Sequence, residues 1–323
     1  MLIKTIHGWE LPERDATPED VFLNRRQLMA GIGAGALGLG LAPGFALAAA
    51  DPSSQYYPAE KNPKFSDAGR EITGEKLNTT YNNFYEFGTS KRISRGAQAL
   101  KIRPWEIKID GEVEKPFTIG FDDLLKKVQL EERVVRLRCV EAWAMTVPWT
   151  GFPLKELVAL AAPKSSAKYI QFQTFNDPDM APGQKPSLFG SNLPWPYTEG
   201  MTMAEATNEL AFMVTGAYGK PVAKSMGAPL RVHCPWKYGF KAAKSINRIT
   251  FTSKRPVSFW QQIQGAEYGF WANVNPEVPH PRWSQAQERI LGTNEKVPSK
   301  LFNGYGEFVA SLYTDLQDEV LYR

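Results

Sequence analysis

Between Pro104 and Phe251 the chain alternates short strand-like and short helix-like runs without the regular βαβα rhythm of a doubly wound parallel sheet. No Gly-rich phosphate loop opens any helix-like run. The pattern selects an α+β fold of mixed sheets and short helices over a dinucleotide-binding arrangement. Trp105, Ile107 and Ile109 alternate with polar neighbours and predict a strand. Residues 121–125 open with Asp122 and Asp123 near the start, where acidic side chains suit the first turn of a helix. Residues 134–139 read as a buried strand, followed by a turn at Pro148, Gly151 and Pro153. Apolar spacing beside Pro153 predicts a helix over 152–162. Further strands are expected over 169–175, 210–215, 230–234 and 246–251. With 323 residues, 43% of them hydrophobic, the chain can bury the core of one large domain, expected over 76–323.

Residues 1–50 have another character. Arg25 and Arg26 precede an apolar run from Ala30 to Ala50 rich in Gly and Ala, and small residues stand at alternate positions at its end. This is the pattern of a twin-arginine export signal, with cleavage expected after Ala48 or Ala50. A transmembrane anchor is the alternative, since the run is long enough to span a bilayer, but its glycines keep it only mildly hydrophobic. The twin-arginine route carries folded proteins and serves those that must acquire a cofactor before export. The leader therefore implies a cofactor and a periplasmic destination. Residues 51–75, rich in Pro, Ser and charge without apolar period, are expected as an extended lead segment, mobile or draped over the surface. The net charge of +4 is spread among acidic residues, so the basic blocks of a nucleic-acid binder are missing.

Cys139 and Cys234 are the two cysteines. In an oxidising compartment they have the option of pairing, and a disulfide closing a long loop is one reading. The other reading starts from the position of Cys139 in RLRCVEAWAMTVPWTGFP, at the end of a predicted strand. Arg136 and Arg138 stand beside it, and positive charge favours the thiolate that binds metals. A zinc site built by the protein is poorly supplied: there is no C-x-x-C or H-E-x-x-H, and past the signal only His233 and His280. A cofactor that brings its own ligands removes the difficulty. Molybdopterin supplies two dithiolene sulfurs and leaves one position for a protein thiolate.

Four separated segments carry a more specific signal: YNNFYEFG at 81–88, RCVEAWAMTVPWTGFPL at 138–154, GAPLR with PWKYGFKAAKSI at 227–246, and YGFWANVNPEVPHPRWSQA at 268–286. Together they resemble the molybdopterin catalytic subunits of bacterial periplasmic methionine sulfoxide reductases, a branch of the sulfite oxidase family. The resemblance runs from about Tyr81 to the C-terminus. It implies a sulfite oxidase-type fold, a Mo-molybdopterin cofactor and the reductive removal of oxygen from methionine sulfoxide in proteins, a repair reaction. It also implies oxidised periplasmic proteins as substrates and a membrane haem-binding partner subunit, fed by the quinone pool, as electron donor.

The resemblance further implies roles for individual residues. Cys139 matches the metal ligand and Asn83 an amide near the metal. Glu141 matches a carboxylate on the metal's open side, suited to proton delivery, and in an extended chain it would share a side with Cys139. Asn82, Tyr85, Glu86, Thr174, Arg231, Ala242, Ala243 and Lys244 match pterin contacts, the Arg231 guanidinium suiting a phosphate. Met226 stands where relatives often carry Asn, which leaves a backbone contact only. His233 and Cys234 read as core residues. Sulfite-oxidising relatives surround their metal with arginines, whereas Asn83, Glu141 and aromatic rings suit a neutral sulfoxide. The alternatives are a sulfite dehydrogenase, a reductase of small sulfoxides or N-oxides, and a non-catalytic binding domain with an aromatic groove. The ring-rich stretch 268–283 is expected as an ordered loop or a substrate face.

Overall fold

The structure is a computed structural model that describes residues 51–186 and 193–323; the export signal expected over 1–50 lies outside the described residues. In chain order the elements are β1 (Glu60–Lys61), α1 (Glu75–Thr80), β2 (Glu106–Gly111), β3 (Phe117–Gly120), α2 (Phe121–Leu125), β4 (Glu131–Arg138), β5 (Trp143–Pro153), α3 (Leu154–Ala161) and β6 (Tyr169–Thr174). There follow β7 (Thr198–Thr202), α4 (Met203–Ala206), β8 (Phe212–Ala217), β9 (Lys220–Pro221), β10 (Arg231–His233), β11 (Ile246–Thr252), α5 (Phe259–Gln264), β12 (Gln287–Ile290), β13 (Lys296–Pro298) and α6 (Gly306–Val309).

One sheet runs β1-β4-β5-β12-β13, with β8 also pairing with β5 and carrying β9 and β10; the other runs β3-β2-β11-β6-β7. Both are mixed. β1 with β4, β12 with β5 and β11 with β2 are parallel, and the remaining pairs are antiparallel. This is the α+β arrangement expected from the irregular order of short elements. Residues of β6 alternate between half-buried and buried, the mark of a strand with one covered face. β5 is buried at every residue from Trp143 to Phe152, so that strand is covered on both sides. Trp149, Phe152, Trp236 and Phe251 are among the largest fully buried side chains, and burial of each such ring contributes about 1.5–3 kcal/mol.

The turn expected at Pro148, Gly151 and Pro153 is not there. β5 runs through all three, pairing with β4 from Glu131↔Gly151 to Arg138↔Ala144. Gly151 instead marks a register irregularity between β5 and β8, where any Cβ would collide with the carbonyl of Met213. The chain turns earlier, at Val140, Glu141 and Ala142. The Cys139 N–H donates to the Trp143 carbonyl (2.9 Å), the Ala142 N–H donates to the Cys139 carbonyl (3.1 Å), and Ala142 sits at φ 59°. A three-residue hairpin loop commonly ends on a left-handed residue in this way. α3 accordingly starts two residues later than the apolar spacing suggested, and buries Leu154, Leu157, Val158 and Ala161, a single helical face.

The lead segment is draped and tied down. The Asn62 N–H donates to the Glu132 carbonyl (2.9 Å), Phe65 is buried, and Tyr57 Oη donates to the Thr215 carbonyl (2.9 Å). Cys139 and Cys234 are both free and belong to different apolar clusters, which removes the disulfide reading. His233 is a core residue: it packs on Trp149 with centroids 5.7 Å apart, and burial pushes its pKa down to about 3, so the ring is neutral. Among the described residues no helix is long and apolar enough to cross a membrane.

Candidate active site

The β4–β5 turn places Cys139 at the floor of a cleft of about 850 Å³, mouth included. Opposite it lies the 81–88 loop. Phe84 and Phe87 of that loop are buried against one another, centroids 5.0 Å apart, which leaves the intervening and flanking polar side chains to face the cleft. Asn83 Nδ2 lies 3.6 Å from Cys139 Sγ and donates to Glu141 Oε2 at 3.2 Å. Glu141 Oε2 is itself 3.7 Å from Cys139 Sγ. The hairpin turn, and not an extended backbone, brings Glu141 to the side of the cysteine. Two further donors complete its surroundings, Lys91 Nζ at 2.6 Å and Trp143 Nε1 at 3.1 Å.

Burial pushes the Cys139 thiol up to about 12, and the Glu141 carboxylate adds to the effect; Lys91 and Arg138 offset it only in part. This corrects the expectation that Arg136 and Arg138 prepare a thiolate. Arg138 Nε pairs with Glu288 at 2.7 Å and its Nη1 donates to the Cys139 carbonyl, while Arg136 Nε donates to the Ala68 carbonyl at 2.8 Å. Their charge is used in holding the backbone. A metal cation bound to the thiol would deprotonate it. Burial also raises the Glu141 carboxyl, but the bonds from Lys91, Trp143 and Asn83 outweigh it and hold the group below the usual carboxylate range.

Arg231 and Lys244 also line the cleft. Arg231 is 2% exposed, its Nη1 donates to the Met226 carbonyl at 2.6 Å, and its guanidinium lies 4.9 Å from the Trp149 ring centroid. Its Nε has no hydrogen-bond partner among the described residues. Burial lowers its pKa to about 10, which leaves it charged at neutral pH. Burial likewise lowers Lys244 and raises Glu86, whose charge acts on Lys244 and to which Thr174 Oγ1 donates at 3.1 Å. Gly227, at φ 100°, is required here because a Cβ would lie 2.5 Å from Lys244 Cβ.

The family model for an oxidoreductase molybdopterin-binding domain matches residues 95–260. The chain belongs to this family. It is 47% identical over 328 residues to the protein-methionine-sulfoxide reductase catalytic subunit MsrP of Burkholderia mallei (strain ATCC 23344), with 97% of each chain covered. A solved structure, the sulfane dehydrogenase SoxCD of Paracoccus pantotrophus, is 17% identical with a TM-score of 0.41, covering 74% of this chain and 60% of that one.

The residues present fit the family's cofactor. Among the described residues no group of three His, Cys, Asp or Glu side chains is placed to hold a metal. A lone soft thiol at the cleft floor therefore suits a metal whose other ligands come with the cofactor. Arg231, with an orphaned donor, and Lys244, beside Glu86, both line the cleft, and such cationic groups suit a phosphate. Asn82, Asn83, Tyr85, Glu86, Cys139, Glu141, Arg231, Ala242 and Lys244 all line the cleft. Thr174, Met226 and Ala243 do not. Thr174 orients Glu86, the Met226 side chain is in the core while its carbonyl fixes Arg231, and Ala243 is buried behind the wall. Lys91, Trp143, Trp149 and Trp260 have no role assigned from the sequence, whereas Tyr268 opens the stretch expected as an ordered loop or a substrate face. Within 268–283 the rings part company: Tyr268 lines the cleft, Trp271 packs on Tyr313 in the core, and Trp283 Nε1 donates to the Val140 carbonyl (2.8 Å).

Arg231→Leu tests the phosphate contact. Removing a buried cation that lacks an anionic partner is expected to leave the cofactor-free protein as stable as the parent or more so. Retained pterin should fall by about tenfold or more, the worth of charge-assisted hydrogen bonds. Thermal melting of the apoprotein and pterin released from the loaded protein are the two measurements; parent-level pterin would remove the assignment.

Proposed function

We propose that this protein is a molybdenum-dependent reductase of methionine sulfoxide in proteins, exported folded to the periplasm, where it repairs oxidised proteins. It is the catalytic subunit of a pair in which a membrane haem-binding partner supplies electrons. The observation that carries this reading is the chemistry of the cleft at Cys139. A carboxylate stands 3.7 Å from the thiol, and the only arginine lining the cleft among the described residues is Arg231, assigned to the phosphate. The Lys91 ammonium is already paired with Glu141 and so is not free to hold an anionic sulfite, whereas a neutral sulfoxide needs no such cation. Tyr85, Trp260, Tyr268 and Phe240 form an aromatic wall, with centroids 4.8 Å apart for Tyr85 and Trp260 and 5.3 Å for Trp260 and Tyr268. Such faces suit a thioether and its sulfoxide. The relative from Burkholderia mallei is named for this reaction.

Conversion of a sulfoxide to a thioether consumes two electrons and two protons and releases water. Held by Cys139, the cofactor would supply two-electron oxygen-transfer chemistry. The chain's own residues supply position and protons. Asn83 bridges Cys139 and Glu141, fixing their separation. Lys91, 22% exposed, reaches from solvent to Glu141, so its ammonium can pass one of its own protons to the carboxylate beside the thiol and be re-protonated from water.

Turnover of an oxidised protein by the molybdenum-loaded enzyme, compared with turnover of sulfite in the same assay, tests the reading. Methionine sulfoxide should disappear from the protein while sulfite is consumed slowly or not at all; the reverse preference would make the protein a sulfite dehydrogenase. Export is tested separately. Arg25→Lys combined with Arg26→Lys is expected to leave the protein in the cytoplasm, and normal periplasmic recovery of that variant would contradict the twin-arginine reading.

A further inference from the structure

Two successive carbonyls of the cysteine loop are gripped by side chains. The Val140 carbonyl accepts from Trp283 Nε1 and from Gln285 Nε2, both at 2.8 Å. The Cys139 carbonyl accepts from Arg138 Nη1. The Gln285 carboxamide joins these two grips, because its Oε1 accepts from Arg138 Nη2 at 2.9 Å while its Nε2 holds Val140. Arg138 is in turn fixed by Glu288 at 2.7 Å and by Ser299 Oγ at 3.1 Å. Gln285 is 2% exposed and Arg138 is fully buried, so water does not compete for these bonds. The segment that carries Gln285 runs directly into β12, which pairs with the first residues of β5 through Arg289↔Trp143 and Ile290↔Ala144. The grip is thus anchored on the strand that leaves the loop.

We propose that Gln285 is a positioning residue for Cys139. Acting through the Val140 carbonyl and the Arg138 guanidinium, it sets where the thiol stands in the cleft. The position requires a donor and an acceptor at opposite corners of one planar group of this length, which a carboxamide supplies and a carboxylate or thioether does not. Ala142, at φ 59°, shows why such a grip is useful: the turn contains no glycine, and its left-handed residue has to be held by its surroundings.

The test has two readouts, and only the second rests on the reading of Cys139 as the molybdenum ligand. Gln285→Met keeps length and volume but removes both bonds, and Trp283→Phe removes only the second donor to Val140. In the cofactor-free full-length protein, iodoacetamide should modify Cys139 about tenfold faster in Gln285→Met, the scale set by one buried hydrogen bond. A smaller rise is expected in Trp283→Phe, with Cys234 reacting at the parent rate in both. In the loaded enzyme the Mo(V) paramagnetic resonance of Gln285→Met should shift from the parent signal, with kcat lowered and KM close to the parent value. Should Gln285→Met fail to fold, Trp283→Phe decides. Parent-like alkylation of Cys139 with an unshifted resonance would overturn the proposal, and so would equal acceleration at both cysteines, which reports general loosening. Faster alkylation at Cys139 in a protein whose parent form carries no molybdenum would uphold the role of Gln285 and count against the cofactor reading instead.

Discussion

Cys139→Ser is expected to give a folded protein with no measurable activity and with most of its molybdenum gone. A hydroxyl is a harder and far less acidic ligand than a thiol, and a soft metal site discriminates strongly between them. The fold should tolerate the change because what holds the loop is its backbone: the Cys139 N–H and carbonyl and the Val140 carbonyl all keep their partners. Burying a hydroxyl in place of a thiol costs on the order of 1–3 kcal/mol, a shift visible in a thermal melt without loss of cooperativity. Metal content, circular dichroism and turnover on the same preparation separate these effects. Full activity in the variant would sink the assignment of the site.

Glu141→Gln is expected to retain its molybdenum and lose about 100-fold to 10,000-fold in turnover, the usual contribution of a general acid or base. The amide keeps the shape of the carboxyl and still accepts from Asn83 and Trp143, but it gives up the ion pair with Lys91 and has no transferable proton. The same substitution makes a prediction about stability. Because the folded carboxyl is held below its ordinary range, its stabilising contribution is present above the unfolded pKa and is lost as pH falls through the folded one. The stability difference between parent and variant should therefore be largest at neutral pH and close in acid, which chemical denaturation across pH would register. A variant that loses its metal would make Glu141 a structural part of the cofactor pocket. One that turns over at the parent rate would move proton delivery to another group.

How far the sequence spoke for the fold depended on whether the signal was local. β2, β6, β11 and α2 were legible because period-two alternation or a first-turn pair of aspartates is written within a few residues. The hairpin turn was not, because Pro148 and Gly151 are ordinarily turn residues, and only the approach of β8 to Gly151 explains a glycine inside a strand. The true turn, Val140 to Ala142, lacks both residue types. Cys139, Asn83, Glu141 and Arg231 could be picked out from motif segments. The state of the thiol could not, since it is set first by burial in the folded chain, which no short segment records. Lys91 and Trp260 stand outside the quoted motifs and become visible as site residues only when the folded chain brings them to Glu141 and to Tyr85.

The most direct test is the joint determination of molybdenum and pterin on the mature protein purified from molybdate-replete cells, alongside Cys139→Ser prepared in the same way. Molybdenum and pterin are expected in near-equimolar amounts to the parent chain, with the metal largely absent from the variant. A folded parent protein that carries neither, or a variant that holds as much molybdenum as the parent, would contradict the molybdenum site at Cys139.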